Sequence, residues 1–521
     1  MFDPDLWRCL SAPEVFQITT MIRTALSLFL LSGIFPALAG TVTGRLFRDS
    51  NGNGRFDRGE RILSGIGISD GDTIVWSDRK GRYRLEARPG TMLFPILPDG
   101  YATAPTGIQN TVRRFVSATS EESEEIDFAL YPTIWSRLFR IAAIGDIQID
   151  NDEQLEFARR TVLSEIASRE DIDLVIHMGD LINDKPYLLK SAAAAIGTLP
   201  QPVWNVVGNH DLDTDIKPRR GTTFRTEVGT DIAALFRGKC CIVLLNNVET
   251  ATEGLPDSQL RFLRQIIGRC PKEMLIVLCQ HVPMAGVKNR ETIFNLLEGH
   301  RTLILSAHAH MVFRQEWSDE ISEISVGASC GSWWTGERDP WGIPVAIQQC
   351  GTPRGYFLLD FDKADYTFRF KGVGMDEKIG YDLWIGGENA SDTEVEQLSR
   401  EPCGQMILNI YGGGETTTAE YSTDGKIWRP MERVRKLAPA VARSIYMNKR
   451  GGYPTRFSRR LPLRRGGMSP HLWEALLPDS LLRNDRLLYF RISDTKGLAP
   501  LRFKRVVNLH SDTTSIHLNN H

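Results

Sequence analysis

Between residues 138 and 371, short apolar runs alternate with segments whose apolar residues recur three and four positions apart. The runs at 141–144, 174–177, 203–207, 275–278 and 303–305 have the length and aliphatic content of buried strands. Leu155, Ala158, Val162, Leu163 and Ile166 repeat at helical spacing, as do Leu260, Leu263, Ile266 and Ile267 behind a capping Asp257-Ser258. Strands alternating with helices predict a buried sheet covered by helices, an α/β (α+β) region. Residues 40–132 differ: runs at 41–47, 66–69, 73–76, 83–85 and 126–130, separated by turn signals, predict a β-sandwich. Beyond 371 the alternation stops, and 406–411, 419–422, the Asp424-Gly425 turn, 487–492 and 501–507 predict a smaller β domain. The expected organisation is a leader over 1–39, an N-terminal β-sandwich over 40–132, a central domain over 138–371 and a C-terminal β-rich domain over 372–521. A chain of 521 residues exceeds what one core serves.

Each of the five central runs ends in a polar stretch: Asp146-Ile147-Gln148, Gly179-Asp180, Gly208-Asn209-His210-Asp211, Gln280-His281 and His308-Ala309-His310. Ligands of open α/β sheets collect at the carboxyl ends of strands, so the five stretches are expected to meet in one crevice. Their chemistry suits two cations held a few ångströms apart, with a carboxylate between them. Asp180 is the candidate bridge; Asp146, Gln148 and His310 would serve one ion, and Asn209, His281 and His308 the other. Imidazole, carboxylate and amide donors together favour Mn²⁺, Fe or Zn²⁺ over Mg²⁺. His210 would stand beside the ions as a proton donor to a leaving group, with Asp211 orienting its ring.

This set of residues resembles the calcineurin-like metallophosphoesterase superfamily. The resemblance implies a two-sheet sandwich with helices outside, a dinuclear metal site at one edge, and the ligand and general-acid roles just given, position by position. Ser329-Cys330-Gly331-Ser332-Trp333-Trp334 and Cys350-Gly351…Gly355-Tyr356 are similar to exported bacterial members with β domains on both sides. Two positions depart from the pattern. Gln148 stands where most members have histidine, and Ala307 precedes His308 where glycine is usual, its methyl crowding a turn that glycine would ease.

Composition adds limits. Charged residues make up 24% and the formal net charge is −2, which gives no general reason to expect nucleic-acid binding. Met21-Ile22-Arg23-Thr24, a short apolar run and Ala37-Leu38-Ala39 describe a secretory signal cleaved after Ala39, with translation starting at Met21; no membrane span is expected after cleavage. Export fits a periplasmic or secreted protein, in which Cys330 and Cys350 are the expected disulfide pair. Cys270 and Cys279 flank a buried run as small apolar groups. Asp49, Asn51, Asn53, Asp57 and Glu60 fall at the spacing of a Ca²⁺ loop, and this region resembles prealbumin-like calcium-binding modules of bacterial surface proteins; the same residues also suit an ion-free turn. Lys449, Arg450, Arg456, Arg459, Arg460, Arg464 and Arg465 form a basic run that reads either as a solvated loop or as a contact for anionic groups. In the loop 329–353, Trp333 and Trp334 read either as a wall for substrate or as packing against a flanking domain, and Arg338 as a contact for a second phosphate. The expected function is hydrolysis of a phosphate mono- or diester of an envelope or extracellular substrate, such as a lipid head group, glycan phosphate or nucleotide. The alternative is a binding or scaffold protein that keeps the fold with an impaired site.

Overall fold

The computed structural model describes residues 40–104, 106–109, 114–116, 123–133, 138–215, 219–249, 254–336, 338–450, 463, 466–478, 486–507 and 509. The expected leader at 1–39 and the basic run beyond Arg450 lie outside them.

Two six-stranded sheets form the centre. One runs in the order Asp365–Gly372, Gly355–Asp362, Leu138–Ile144, Leu174–His177, Pro202–Asn205, Gly107–Ile108. The other runs Ala233–Arg237, Cys240–Leu244, Leu275–Cys279, Thr302–Ser306, Ile321–Val326, Val312–Glu316. Leu138–Ile144, Leu174–His177 and Pro202–Asn205 are parallel neighbours, as are Cys240–Leu244, Leu275–Cys279 and Thr302–Ser306. Within each triplet, therefore, the carboxyl ends open on one edge.

Side-chain alternation explains why these runs are apolar throughout. Ile176, Met178, Trp204 and Val206 share a core with Val277, Cys279, Leu303 and Leu305, between the sheets. Ala142, Ile144, Val175 and Val203 point the other way and pack with Leu155, Val162, Ile166 and Leu189 of the helical layer. Leu260, Leu263, Ile266 and Ile267 likewise cover Ile276, Leu278 and Ile304. The first helix begins at Asn151, whose side chain accepts from Gln154 N, and runs from Asp152–Ala158 through a π turn, Arg159–Leu163, into Ser164–Ala167. Asp257 does not cap the helix Asp257–Ile267; Pro256 precedes the first turn, and Asp257 lies within it as an acid near the positive end of the helix dipole.

In the N-terminal region, Gly40–Arg48 pairs with Arg61–Ile62, Arg82–Ala87, Glu124–Glu125 and Phe128–Pro132. Gly107–Ile108 leaves that region and adds an edge strand beside Pro202–Asn205. Among the described residues the C-terminal region holds two four-stranded sheets, one of them ordered Tyr381–Ile385, Gln405–Ile410, Met468–Leu476, Glu432–Leu437. It is not wholly β: Pro439–Lys449 is a helix, whose short buried stripe of Val441, Ala442 and Ile445 left little periodic signal in the sequence. No described helix is long and apolar enough to cross a membrane.

Candidate metal centre

The five polar stretches meet, and tight backbone conformations let them do so. Among the described residues nine non-glycine residues have positive φ, and Lys363 aside they are Asp146, Gln148, Asp180, Asp184, His308, His310, Trp333 and Trp334. Such conformations are costly for residues with a Cβ and persist where the surroundings enforce them, often at functional sites. Gly179 (φ +96°) and Gly208 make the close approach feasible. A Cβ on Gly179 would lie 2.5 Å from His281 Nδ1, and one on Gly208 would lie 2.1 Å from Asp180 Oδ1. Ala307 has no positive φ and its methyl is buried in the inter-sheet core; the left-handed turns fall on His308 and His310 instead, so glycine is not required before His308.

Asp180 stands at the middle. Its Oδ2 is 3.3 Å from His281 Nε2 and 3.4 Å from Gln148 Nε2, while its Oδ1 accepts from His210 N at 2.9 Å. Asp180, His281 and His308 each turn one ligand atom to within 4.8 Å of the others, the one such group of acids, histidines or cysteines among the described residues. Asn209 Oδ1 is 3.2 Å from His281 Nε2, placing it on the same side. On the other side, His310 Nε2 lies 3.4 Å from Asp146 Oδ1, and Asp146 Oδ2 accepts from His308 N. The backbone orients the imidazoles: His281 Nδ1 meets Met178 O at 2.7 Å and His310 Nδ1 meets Gly331 O at 2.9 Å, so each Nε2 faces the crevice.

Donor chemistry fits cations. Asp146 Oδ1 is buried and makes no hydrogen bond, its neighbour His310 Nε2 standing 3.4 Å away. Burial alone would raise the Asp180 carboxyl, but His281 and His210 outweigh it and hold the group below the usual carboxylate range. Burial opposes charge on His281 too, yet Asp180 and Asp146 raise it to about 9.

His210 is oriented by a residue the sequence did not suggest. Its Nδ1 is 3.1 Å from Asp184 Oδ1, which also accepts from Arg219 at 2.8 Å. Burial would lower the His210 pKa, but Asp184 and Asp180 raise it. Asp211, expected in that role, is fully buried and accepts from Ile182 N and Gly208 N. It therefore shapes the Gly208–Asp211 turn, and burial followed by repulsion from Asp180 pushes its carboxyl up to about 7. The available signal was an acid four residues beyond Asp180, a spacing that means nothing until the turn after Leu174–His177 is built.

The loop 329–353 also departs from expectation. Trp334 is buried against Phe157, and its Nε1 donates to Ile147 O, bracing the Asp146–Gln148 turn rather than walling the crevice. Trp333 stacks beside His310, ring centroids 4.4 Å apart. Arg338 is directed to Gly342 O and Glu153. Cys330 and Cys350 are both free thiols. Cys330 Sγ lies 3.8 Å from His310 Nδ1 and 4.0 Å from Gln148 Oε1, behind the site, whereas Cys350 Sγ accepts from Val312 N.

In the N-terminal loop, Asp49 accepts from Gly52 N and Gly54 N, Asn51 and Asn53 both donate to Asp57 Oδ2, and Glu60 accepts from Ser50 N and Asp57 N. Asp49, Asn51, Asn53, Asp57 and Glu60 are thus gathered in one hydrogen-bonded loop.

An α/β sandwich with carboxylates and imidazoles converging at its strand ends offers a set of donors that could hold metal ions. Comparison with known families narrows this. Residues 139–312 match the family described as calcineurin-like phosphoesterase, and residues 323–498 match the C terminal of calcineurin-like phosphoesterase. Together these span about two thirds of the chain, and it belongs to the calcineurin-like phosphoesterase family. Among solved structures it is similar to a dimetal phosphatase from Danio rerio, at 14% identity and a TM-score of 0.34, over 45% of this chain and 96% of that one. It is also similar to a 5'-nucleotidase from Candida albicans, at 8% identity and a TM-score of 0.29, over 72% and 91%. No curated protein matches.

Proposed function

We propose that this chain is an exported, metal-dependent phosphoesterase hydrolysing a phosphate mono- or diester of the envelope or the extracellular space. The observation that carries the reading is the buried Asp180 carboxylate, whose Oδ2 meets both His281 Nε2 and Gln148 Nε2, with the buried Asp146 carboxylate beside it facing His310 Nε2 at 3.4 Å. In this reading Asp146, Gln148 and His310 would hold one divalent ion and Asn209, His281 and His308 a second, with Asp180 between them; Mn²⁺, Fe or Zn²⁺ would suit the donors. Such a pair, when bound, supplies Lewis-acid stabilisation of phosphoryl charge and activation of water. His210, held by Asp184, keeps a proton at Nε2 for the leaving alkoxide. The basic-start, apolar-run, Ala-Leu-Ala pattern over 21–39 supports export, and the gathered loop around Asp57 supports a structural Ca²⁺, which would show as a Ca²⁺-dependent rise in melting temperature.

The test is hydrolysis of aryl phosphate mono- and diesters with added Mn²⁺, beside Asp180→Asn and His210→Ala. Activity in the parent and loss in both variants is expected, with two transition-metal ions per parent chain. A metal-loaded parent inert toward both ester classes would favour the binding-protein alternative, and a parent that takes up no metal would overturn the reading.

A further inference from the structure

The strand Val312–Glu316 begins two residues after His310, and its first residue is gripped on both backbone atoms. Val312 N donates to Cys350 Sγ at 3.3 Å. Val312 O lies 3.0 Å from Nε2 of His471, a side chain of the C-terminal strand Met468–Leu476. The other ring nitrogen of His471 is 2.5 Å from Asn409 Oδ1, on the adjacent strand Gln405–Ile410. Asn409 Nδ2 in turn donates to Cys350 O at 3.2 Å, closing a ring of contacts around the segment that leaves His310. Gln349 N reaches His310 O itself at 3.2 Å. His471 is fully buried and Asn409 is 1% exposed.

Burying an imidazole and a carboxamide costs free energy unless their hydrogen bonds are made, and here those bonds are spent on two backbone segments beside the metal centre. His308 and His310 adopt left-handed φ, a conformation that relaxes unless the neighbouring backbone is held. Of the groups holding it, His471 lies 159 residues beyond Val312, and Asn409 lies 59 residues beyond Cys350.

We infer that His471 and Asn409 are positioning residues for the His308–His310 segment, so that the C-terminal sheets complete the metal site. This rests on the metal-ligating role given to that segment above. The ligands' cation affinity then depends on two side chains that touch neither cation nor substrate. Loss of either lets Val312 drift and relaxes His310, weakening the ion shared by Asp146 and His310 more than the one near His281.

The experiment is calorimetric Mn²⁺ titration of the full chain, metal-stripped, in parallel with thermal melting. The set comprises the parent, His471→Ala, His471→Gln, Asn409→Ala and Arg491→Ala; Arg491 pairs with Glu420 in the same region, away from Val312. The parent is expected to bind two ions. His471→Ala and Asn409→Ala are expected to weaken one of them by roughly tenfold, as loss of a supporting contact does. His471→Gln, whose amide can still donate to Val312 O, is expected to recover most of that affinity, and Arg491→Ala to bind as the parent does. Cooperatively melting His471→Ala or Asn409→Ala protein that binds both ions with parental affinity would overturn the inference; if His471→Ala does not fold, Asn409→Ala decides. A parent that binds no Mn²⁺ would overturn the metal reading itself, a separate failure.

Discussion

Replacing Asp184 by asparagine tests the assignment of His210 as proton donor and of Asp184 as its orienting partner. Asp184 Oδ1 lies 3.1 Å from His210 Nδ1, so removing the carboxylate charge removes a contact favouring the protonated ring. At about 4 Å between charge centres and an effective dielectric near 20, the Coulomb attraction is roughly 4 kcal/mol. Arg219 shares the same oxygen and the Asp184 side chain is 37% exposed, which reduces the usable part to roughly 1–2 kcal/mol, or about one pKa unit. The sign follows from the direction of the shift. Asp184 raises the His210 pKa, so the proton-donating form is present below that raised value and lost as pH climbs through it. Asp184→Asn lowers the pKa, and the alkaline limb of kcat/KM must move to lower pH by about one unit. Nearby cations would displace both proteins' values in the same direction and leave the difference standing. The assay is a pH series of kcat/KM on an aryl phosphate with Mn²⁺ for the parent, Asp184→Asn and Asp211→Asn. Asp211 is bonded to two backbone amides rather than to the ring, so Asp211→Asn should leave the limb in place. An unmoved limb in Asp184→Asn, or a shift in Asp211→Asn alone, would refute the reasoning.

Gly179→Ala should weaken Mn²⁺ binding by at least about tenfold, because its Cβ would meet His281 Nδ1 at 2.5 Å; Gly100→Ala, also at positive φ but in open space, should cost only about 1 kcal/mol on melting and leave metal content unchanged. Arg314→Ala should destabilise the chain by roughly 3 kcal/mol in denaturant titration, since it strands the buried Asp494 carboxylate; parental stability would show that Thr416 and Thr417, which also bond that carboxylate, suffice. Alkylation of unfolded, unreduced protein should modify both Cys330 and Cys350, and protection of the two together would show a disulfide.

The one-dimensional pattern carried the strands and the kinds of donor at their ends. Apolar runs such as 174–177 and 303–305 must be buried on both faces, and that requirement is local enough to read from the residues themselves. The convergence of Asp146, Asp180, Asn209, His281, His308 and His310 was legible for the same reason: parallel strands put their carboxyl ends on one edge whatever the helices between them do. Which neighbour each side chain meets was decided by tertiary packing. Asp184, not Asp211, reaches His210 because the left-handed turn at Asp180 and Asp184 brings one carboxylate outward, while the turn at Gly208 folds the other back onto its own amides. Cys330 and Cys350, close in sequence and expected to pair, are drawn apart by separate partners, one behind His310 and the other under Val312. Trp334 turns inward to hold Ile147, and His471 reaches Val312 across 159 positions of sequence. Spacing cannot encode such contacts, because they depend on how whole sheets pack against one another, a property of the assembled core rather than of any segment within it.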